Sequence, residues 1–91
     1  MMGCYDQVRF ENKDYVLPDS LVVGGIVFQT KDLGGNFSTV VIGYDGSLIL
    51  DDIWRLFQDI EFDFYTVADG VLYEYKACFQ AGVLTKIKVV L

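Results

Sequence analysis

Histidine is absent from this chain, and two cysteines, Cys4 and Cys78, are its only thiols. A nucleophile of the Cys–His or Ser–His kind therefore has no imidazole to take its proton. Ser20, Ser38 and Ser47 sit beside glycine- or aspartate-rich turns, where a serine hydroxyl serves the backbone. Cys78 lies inside an alternating segment and reads as an inert, buried thiol. No cationic neighbour is expected to lower the pKa of Cys4. Two thiols without histidine fall short of a structural zinc site, and no metal or cofactor is expected.

Carboxylate pairs are the remaining catalytic option. Asp51-Asp52 suits a helix start. Glu61 and Asp63 share one face of a strand with Lys76 opposite, which a cross-strand charge ladder explains. Asp45-Gly46-Ser47 and Asp69-Gly70 lack the spaced oxygens and closing glutamate of a calcium loop. Gly24-Gly25 and Gly34-Gly35 lack the lysine and helix of a phosphate loop. Gln29, Thr30, Lys31, Asp32 and Leu33 carry an amide, a hydroxyl and both charges ahead of a glycine pair. Such a group can line a pocket at a strand end, or form a strand exit with a capped turn.

These residues must be positioned by strands. Ile60 to Val67 alternates, with Ile60, Phe62, Phe64 and Thr66 on one face. Asp69-Gly70 follows, the favoured pair for a two-residue type I′ turn. It sets Phe64 opposite Tyr75, Phe62 opposite Ala77, Ile60 opposite Phe79 and Asp63 opposite Lys76. Gln80-Ala81-Gly82 reads as a three-residue loop. It would set Phe79 against Val83, Ala77 against Thr85, Tyr75 against Ile87, Tyr73 against Val89 and Glu74 against Lys88. The expected core face is Phe62, Phe64, Tyr73, Tyr75, Phe79, Ile87 and Val89.

The other face of this meander carries Val67, Leu72 and Val90 near one end and Cys78 and Leu84 near the other. That is too apolar for a solvated sheet, so the N-terminal half or a partner subunit is expected to cover it. Val67, Leu72, Leu84 and Val90 are candidate interface residues. Upstream, Phe37 to Ile42 turns through Tyr44-Asp45-Gly46-Ser47 into Leu48-Ile49-Leu50, and Ile26 to Thr30 is a further strand. Gln7–Phe10 and Tyr15–Leu17 are expected to pair around Glu11–Asp14, with Pro18 ending the second run. Asp51 or Asp52 would cap a short helix near 51–59, whose Ile53, Leu56, Phe57 and Ile60 recur at helical spacing. Trp54 would anchor that helix on the sheet or line a pocket. The expected fold is mainly β: antiparallel hairpins forming a curved sheet, sandwich or partial barrel, in one domain over 1–91.

The chain has 91 residues, 53% hydrophobic and 15% aromatic, with 13 acids against 7 bases and a net charge of −6. So much apolar surface on so small a domain points to a covered second sheet face or a homo-oligomer such as a dimer. The negative charge disfavours nucleic-acid binding through phosphates. The acids are scattered, as solubility requires. No membrane span and no signal peptide are read, so a cytoplasmic protein with reduced thiols is the default.

The chain resembles a family of small uncharacterised bacterial and phage proteins. Its marks here are Met2-Gly3-Cys4-Tyr5-Asp6, Phe28-Gln29-Thr30-Lys31-Asp32-Leu33, Asp45-Gly46-Ser47-Leu48, Phe64-Tyr65-Thr66, and Tyr73 to Phe79 with Gly82. Tyr5 stands where that family has phenylalanine. Arg55 to Ile60 stands where it has an aromatic-histidine-glycine stretch, so no histidine-dependent role carries over. The resemblance implies a phage or mobile-element context and brings no catalytic residues. The sequence thus reads as a non-catalytic binding protein, self-associating, with a small-molecule or protein ligand. The alternatives are an acidic inhibitor or nucleic-acid mimic that blocks a basic partner, and an enzyme using carboxylates alone.

Overall fold

Asp69 and Gly70 both adopt left-handed backbone, with φ of 52° and 77°. That is the type I′ geometry whose twist matches two antiparallel strands. The computed structural model describes residues 6–32 and 38–90. Its eight strands are β1 (Asp6–Phe10), β2 (Phe28–Thr30), β3 (Thr39–Ile42), β4 (Leu48–Leu50), β5 (Trp54–Leu56), β6 (Ile60–Ala68), β7 (Val71–Gln80) and β8 (Val83–Val89). They form one mixed sheet in the order β5-β4-β3-β1-β2-β6-β7-β8, curled into a half-barrel. Among the described strands, only β1 and β3 run parallel. Phe37 and the Gly34-Gly35-Asn36 boundary lie outside the described residues, as does Cys4.

The β6–β7 register is the expected one, with Ile60 opposite Phe79, Phe62 opposite Ala77, Phe64 opposite Tyr75 and Asp63 opposite Lys76. The β7–β8 register is not. Its turn is the two-residue pair Ala81-Gly82, with φ of 52° and 78°, and Gln80 pairs with Val83. A bulge then falls between Cys78 and Phe79, so Phe79 faces Leu84, Ala77 faces Ile87 and Tyr75 faces Val89. The physical reason is spacing. Leu84 and Ile87 are three residues apart, and strict alternation would send them to opposite faces. The bulge inserts Thr85 and turns both inward. The Thr85 hydroxyl donates to the Cys78 carbonyl at 3.0 Å, which occupies the extra residue. One cost is Lys76 opposite Lys88, a like-charge pair.

The expected helix near 51–59 is a turn and a strand. Asp51 and Asp52 have φ of 54° and 61°, which a right-handed helix excludes. They begin a three-residue loop that pairs Trp54 with Leu50 and Leu56 with Leu48. Ile53 and Phe57 are exposed, so the helical stripe has no core to face. So short a helix is weak on its own, and the ladder with β4 wins.

The expected N-terminal hairpin is also replaced. β1 lies between β2 and β3, and Tyr15–Leu17 turns back on itself instead. The Leu17 amide donates to the Leu21 carbonyl at 2.8 Å and the Val23 amide to the Tyr15 carbonyl at 3.0 Å. Residues 11–27 form an arm that adds buried Leu17 and Val23 to the core. The core is aromatic. Phe28 meets Phe64 edge-on at 5.2 Å, Phe64 stacks on Tyr75 at 5.3 Å and Phe62 on Phe79 at 5.5 Å. Tyr73 and Ile87 pack against this core, but Val89 is 41% exposed.

The two ends of the sheet meet at the β7–β8 turn. Ser47 bridges Val83, the Leu48 amide donates to the Gly82 carbonyl at 3.0 Å, and the Leu84 amide donates to the Gly46 carbonyl at 2.9 Å. The Arg55 guanidinium donates to the carbonyls of Leu56 and Gly82, both at 2.8 Å.

Candidate functional site

Side chains alternate across β6 and β7, so the core takes Phe62, Phe64, Tyr75 and Ala77 and the convex side receives the residues between them. Tyr65 points outward, flanked by Gln29 on β2 and Glu74 on β7. Two residue pairs further on, and so on the same face, Val67 faces Leu72. Val90 joins from the strand beside β7, its amide donating to the Glu74 carbonyl at 2.9 Å. Lys31, Tyr65, Leu72 and Glu74 line an open hollow of about 250 Å³. Val67 is 63% exposed, Leu72 45% and Val90 44%. No described residue of the N-terminal half covers them, and the 11–27 arm packs on the core side.

The structure divides the expected pocket residues. Thr30 is buried, and its hydroxyl donates to the Asp63 carbonyl at 2.5 Å. The Asp32 carboxylate accepts the Asp63 amide at 2.7 Å, and the Asp32 amide donates to the Thr30 hydroxyl at 3.2 Å. Thr30 and Asp32 therefore stitch β2 to β6. Gln29 is half-buried within the sheet, and Lys31 alone of the four reaches the hollow. Trp54 lies elsewhere, on edge strand β5 with three strands between it and β2, and is 63% exposed. It neither anchors a helix nor lines a described hollow. Leu84, expected on the convex face, is turned toward the core by the bulge.

Tyr65 and Glu74 were missed as site residues. The β6–β7 register already places them opposite each other, but their meeting with Lys31 depends on the long-range β2–β6 pairing. Neither Lys31 nor Glu74 forms an ion pair among the described residues. The ion pairs there are Arg9–Asp52 at 2.9 Å and Lys76–Asp63 at 4.0 Å.

A second hollow of about 210 Å³ is lined by Arg9, Phe10, Lys13, Gly25 and Ile26. Its Arg9 guanidinium is already held by both carboxylate oxygens of Asp52, at 2.9 and 3.1 Å.

Most of the acids hold a structural partner. Glu11 accepts the Tyr44 amide, Asp51 the Thr39 amide and Asp59 the Ala81 amide. Asp45 accepts both the hydroxyl and the amide of Ser47, and these bonds hold its carboxyl below the ordinary aspartate range. Asp19 accepts the Tyr75 hydroxyl at 2.9 and 3.1 Å. The acidity of the chain is in large part the chemistry of its turns and strand ends.

No described helix is long and apolar enough to cross a membrane. Comparison with family models, with curated proteins and with solved structures finds no match to this chain.

Proposed function

We propose that the chain is a non-catalytic interaction protein whose working surface is the convex face of β6 and β7 around the Lys31–Tyr65–Leu72–Glu74 hollow. One observation carries this reading. Exposed Val67, Leu72 and Val90 adjoin an open hollow whose two charges have no ion-pair partner among the described residues. An apolar patch rimmed by polar groups is the usual form of a protein-binding surface. A phage or mobile-element setting rests on the sequence resemblance, and a cytoplasmic one on the thiol usage. The acidic-mimic reading has less support, because a mimic needs gathered and uncommitted acids. Here Glu11, Asp19, Asp32, Asp45, Asp51, Asp52 and Asp59 each hold an amide, a hydroxyl or a guanidinium.

The test is affinity capture from the native host with wild type and Leu72→Asp. Leu72 is outside the core, so the variant is expected to melt within a few degrees of wild type. It is expected to lose a partner that wild type retains. Equal retention by both proteins moves the working surface elsewhere, and no retention by wild type overturns the reading.

A further inference from the structure

We infer that the hollow at the base of the arm binds a small organic anion, a carboxylate or phosphate on a short apolar body, through Arg9, Lys13 and the Gly25 amide. This hollow shares no residue with the one on the convex face, so the inference and the interaction reading stand or fall separately.

The fold brings these residues together at the two ends of the arm. The arm leaves the sheet after Phe10 and rejoins it at Phe28. The Gly24 amide donates to the Lys13 carbonyl at 2.9 Å and the Ile26 amide to the Val23 carbonyl at 2.5 Å, which ties the ends to each other. Asn12 fixes the turn around Lys13: its side chain accepts the Asp14 amide at 3.0 Å and its carbonyl the Tyr15 amide at 3.2 Å. Arg9, Phe10, Lys13, Gly25 and Ile26 thus surround about 210 Å³. The Phe10 ring is held by Tyr15 at 5.1 Å and Phe28 at 5.9 Å. The walls are built before any ligand arrives, so binding has little left to order.

Charge decides the ligand. Two of the seven bases line this hollow, and none of the 13 acids does. On a chain of net charge −6 that is a local reversal of sign, which draws in an anion. Asp52 leaves room for one. Both of its bonds come from a single nitrogen, Arg9 Nη2, and Nη1 and Nε have no partner among the described residues. The Lys13 ammonium forms no ion pair there, with Glu11, Asp14 or any other acid, and the Gly25 amide makes no hydrogen bond. Gly25 has φ of 84° and open space around it, so a ligand can approach its backbone. A guanidinium, an ammonium and a backbone N–H are all donors, and one oxyanion accepts from all three. The Phe10 and Ile26 walls suit an apolar body beside it. At about 30 Å³ per water the hollow holds roughly seven waters. That is below the ~300 Å³ where drug-sized pockets begin, so a one-ring acid fits and a nucleotide does not.

The experiment is an NMR titration of the purified full chain at low salt with benzoate, phenyl phosphate, inorganic phosphate and neutral benzamide. Benzoate or phenyl phosphate is expected to give saturable shifts at the Gly25 and Ile26 amides, the Phe10 ring and the Arg9 and Lys13 side chains. The tighter of the two identifies the oxyanion as carboxylate or phosphate. Lys13→Gln and Arg9→Gln are each expected to weaken binding roughly tenfold. Both side chains are exposed, and the exposed Arg9–Asp52 pair adds little stability, so both variants are expected to fold. Benzamide, which keeps the ring and lacks the charge, is expected not to bind and needs no variant. The inference is overturned if neither ring anion saturates these signals, or if benzamide or either variant matches the wild-type affinity for the anion. Inorganic phosphate binding as tightly as phenyl phosphate also overturns it, because the Phe10 and Ile26 walls would then contribute nothing.

Discussion

At the scale of single residues, Tyr75 shows how a polar atom is tolerated in the core. Its ring is fully buried, and its hydroxyl reaches the Asp19 carboxylate on the arm. Burial first, and then the neighbouring carboxylate, push the phenol above its ordinary value of about 10, so it stays protonated. A raised folded value gives stability that is full below the unfolded value and is lost as pH rises past it. Tyr75→Phe is therefore expected to cost about 1 kcal/mol at neutral pH, because exposed Asp19 recovers water. It should also lose less stability than wild type above about pH 10. Urea denaturation of both proteins at neutral and alkaline pH checks this, and parallel alkaline losses would assign the titration to another group. The inward place of Tyr75 was legible from the Asp69-Gly70 turn and the alternation around it. Its partner was not, because Asp19 lies 56 residues away. The Asp45–Ser47 bonds are the opposite case: they are local, and the sequence marks that turn openly.

At the scale of elements, glycines separate two kinds of turn. Gly70 and Gly82 have nearly the same backbone, with φ of 77° and 78°. A side chain at Gly70 would meet nothing within 4 Å, whereas a Cβ at Gly82 would lie 1.9 Å from the Leu56 carbonyl oxygen. Gly70→Ala thus carries only the left-handed backbone cost, about 1 kcal/mol. Gly82→Ala adds a backbone clash where the ends of the sheet meet, and about 3 kcal/mol or more is expected. Chemical denaturation of the two variants side by side measures the difference. Equal losses would mean that the seam yields freely. The elements were readable where a turn pair and an alternating run agreed, as at β6–β7 and β3–β4. They were misread where a rival period fitted: Ile53, Leu56, Phe57 and Ile60 scan as a helix, yet Trp54 and Leu56 alternate as a strand. The β7–β8 bulge was hidden for a related reason. Its only mark is the odd Leu84–Ile87 spacing, which a loop of another length imitates.

At the scale of the molecule, the sheet is two units joined through β2 and again where the start of β4 meets the β7–β8 turn. The N-terminal unit is β5-β4-β3-β1 and the C-terminal unit is β6-β7-β8. Neither join has a strong sequence mark, because β1–β2 and β2–β6 are long-range pairings without a tight turn. That is why the Lys31 flank of the hollow could not be placed beside Tyr65 from sequence alone. The ladder between β2 and β6 is short, with Gln29 opposite Tyr65 as its paired position. Thr30 supplements it, since its buried hydroxyl donates to the Asp63 carbonyl and accepts the Asp32 amide. Thr30→Val keeps the shape and removes both bonds, leaving the Asp63 carbonyl without that donor. The expected cost is about 2 kcal/mol, more than one ordinary hydrogen bond, because a group at the join is left unmet in a part-buried position. Hydrogen exchange separates a local loss from a coupled one. Faster exchange confined to the Asp32 and Asp63 amides would make Thr30 a local brace. Faster exchange through β6 and β7 as well would make the β2 join what holds the meander, and with it the Tyr65–Leu72–Glu74 face, against the rest of the sheet. The second result is expected, because Val8, Phe10, Leu17 and Phe28, which cover the core face of the meander, lie on β1, on β2 and on the arm between them, next to that join.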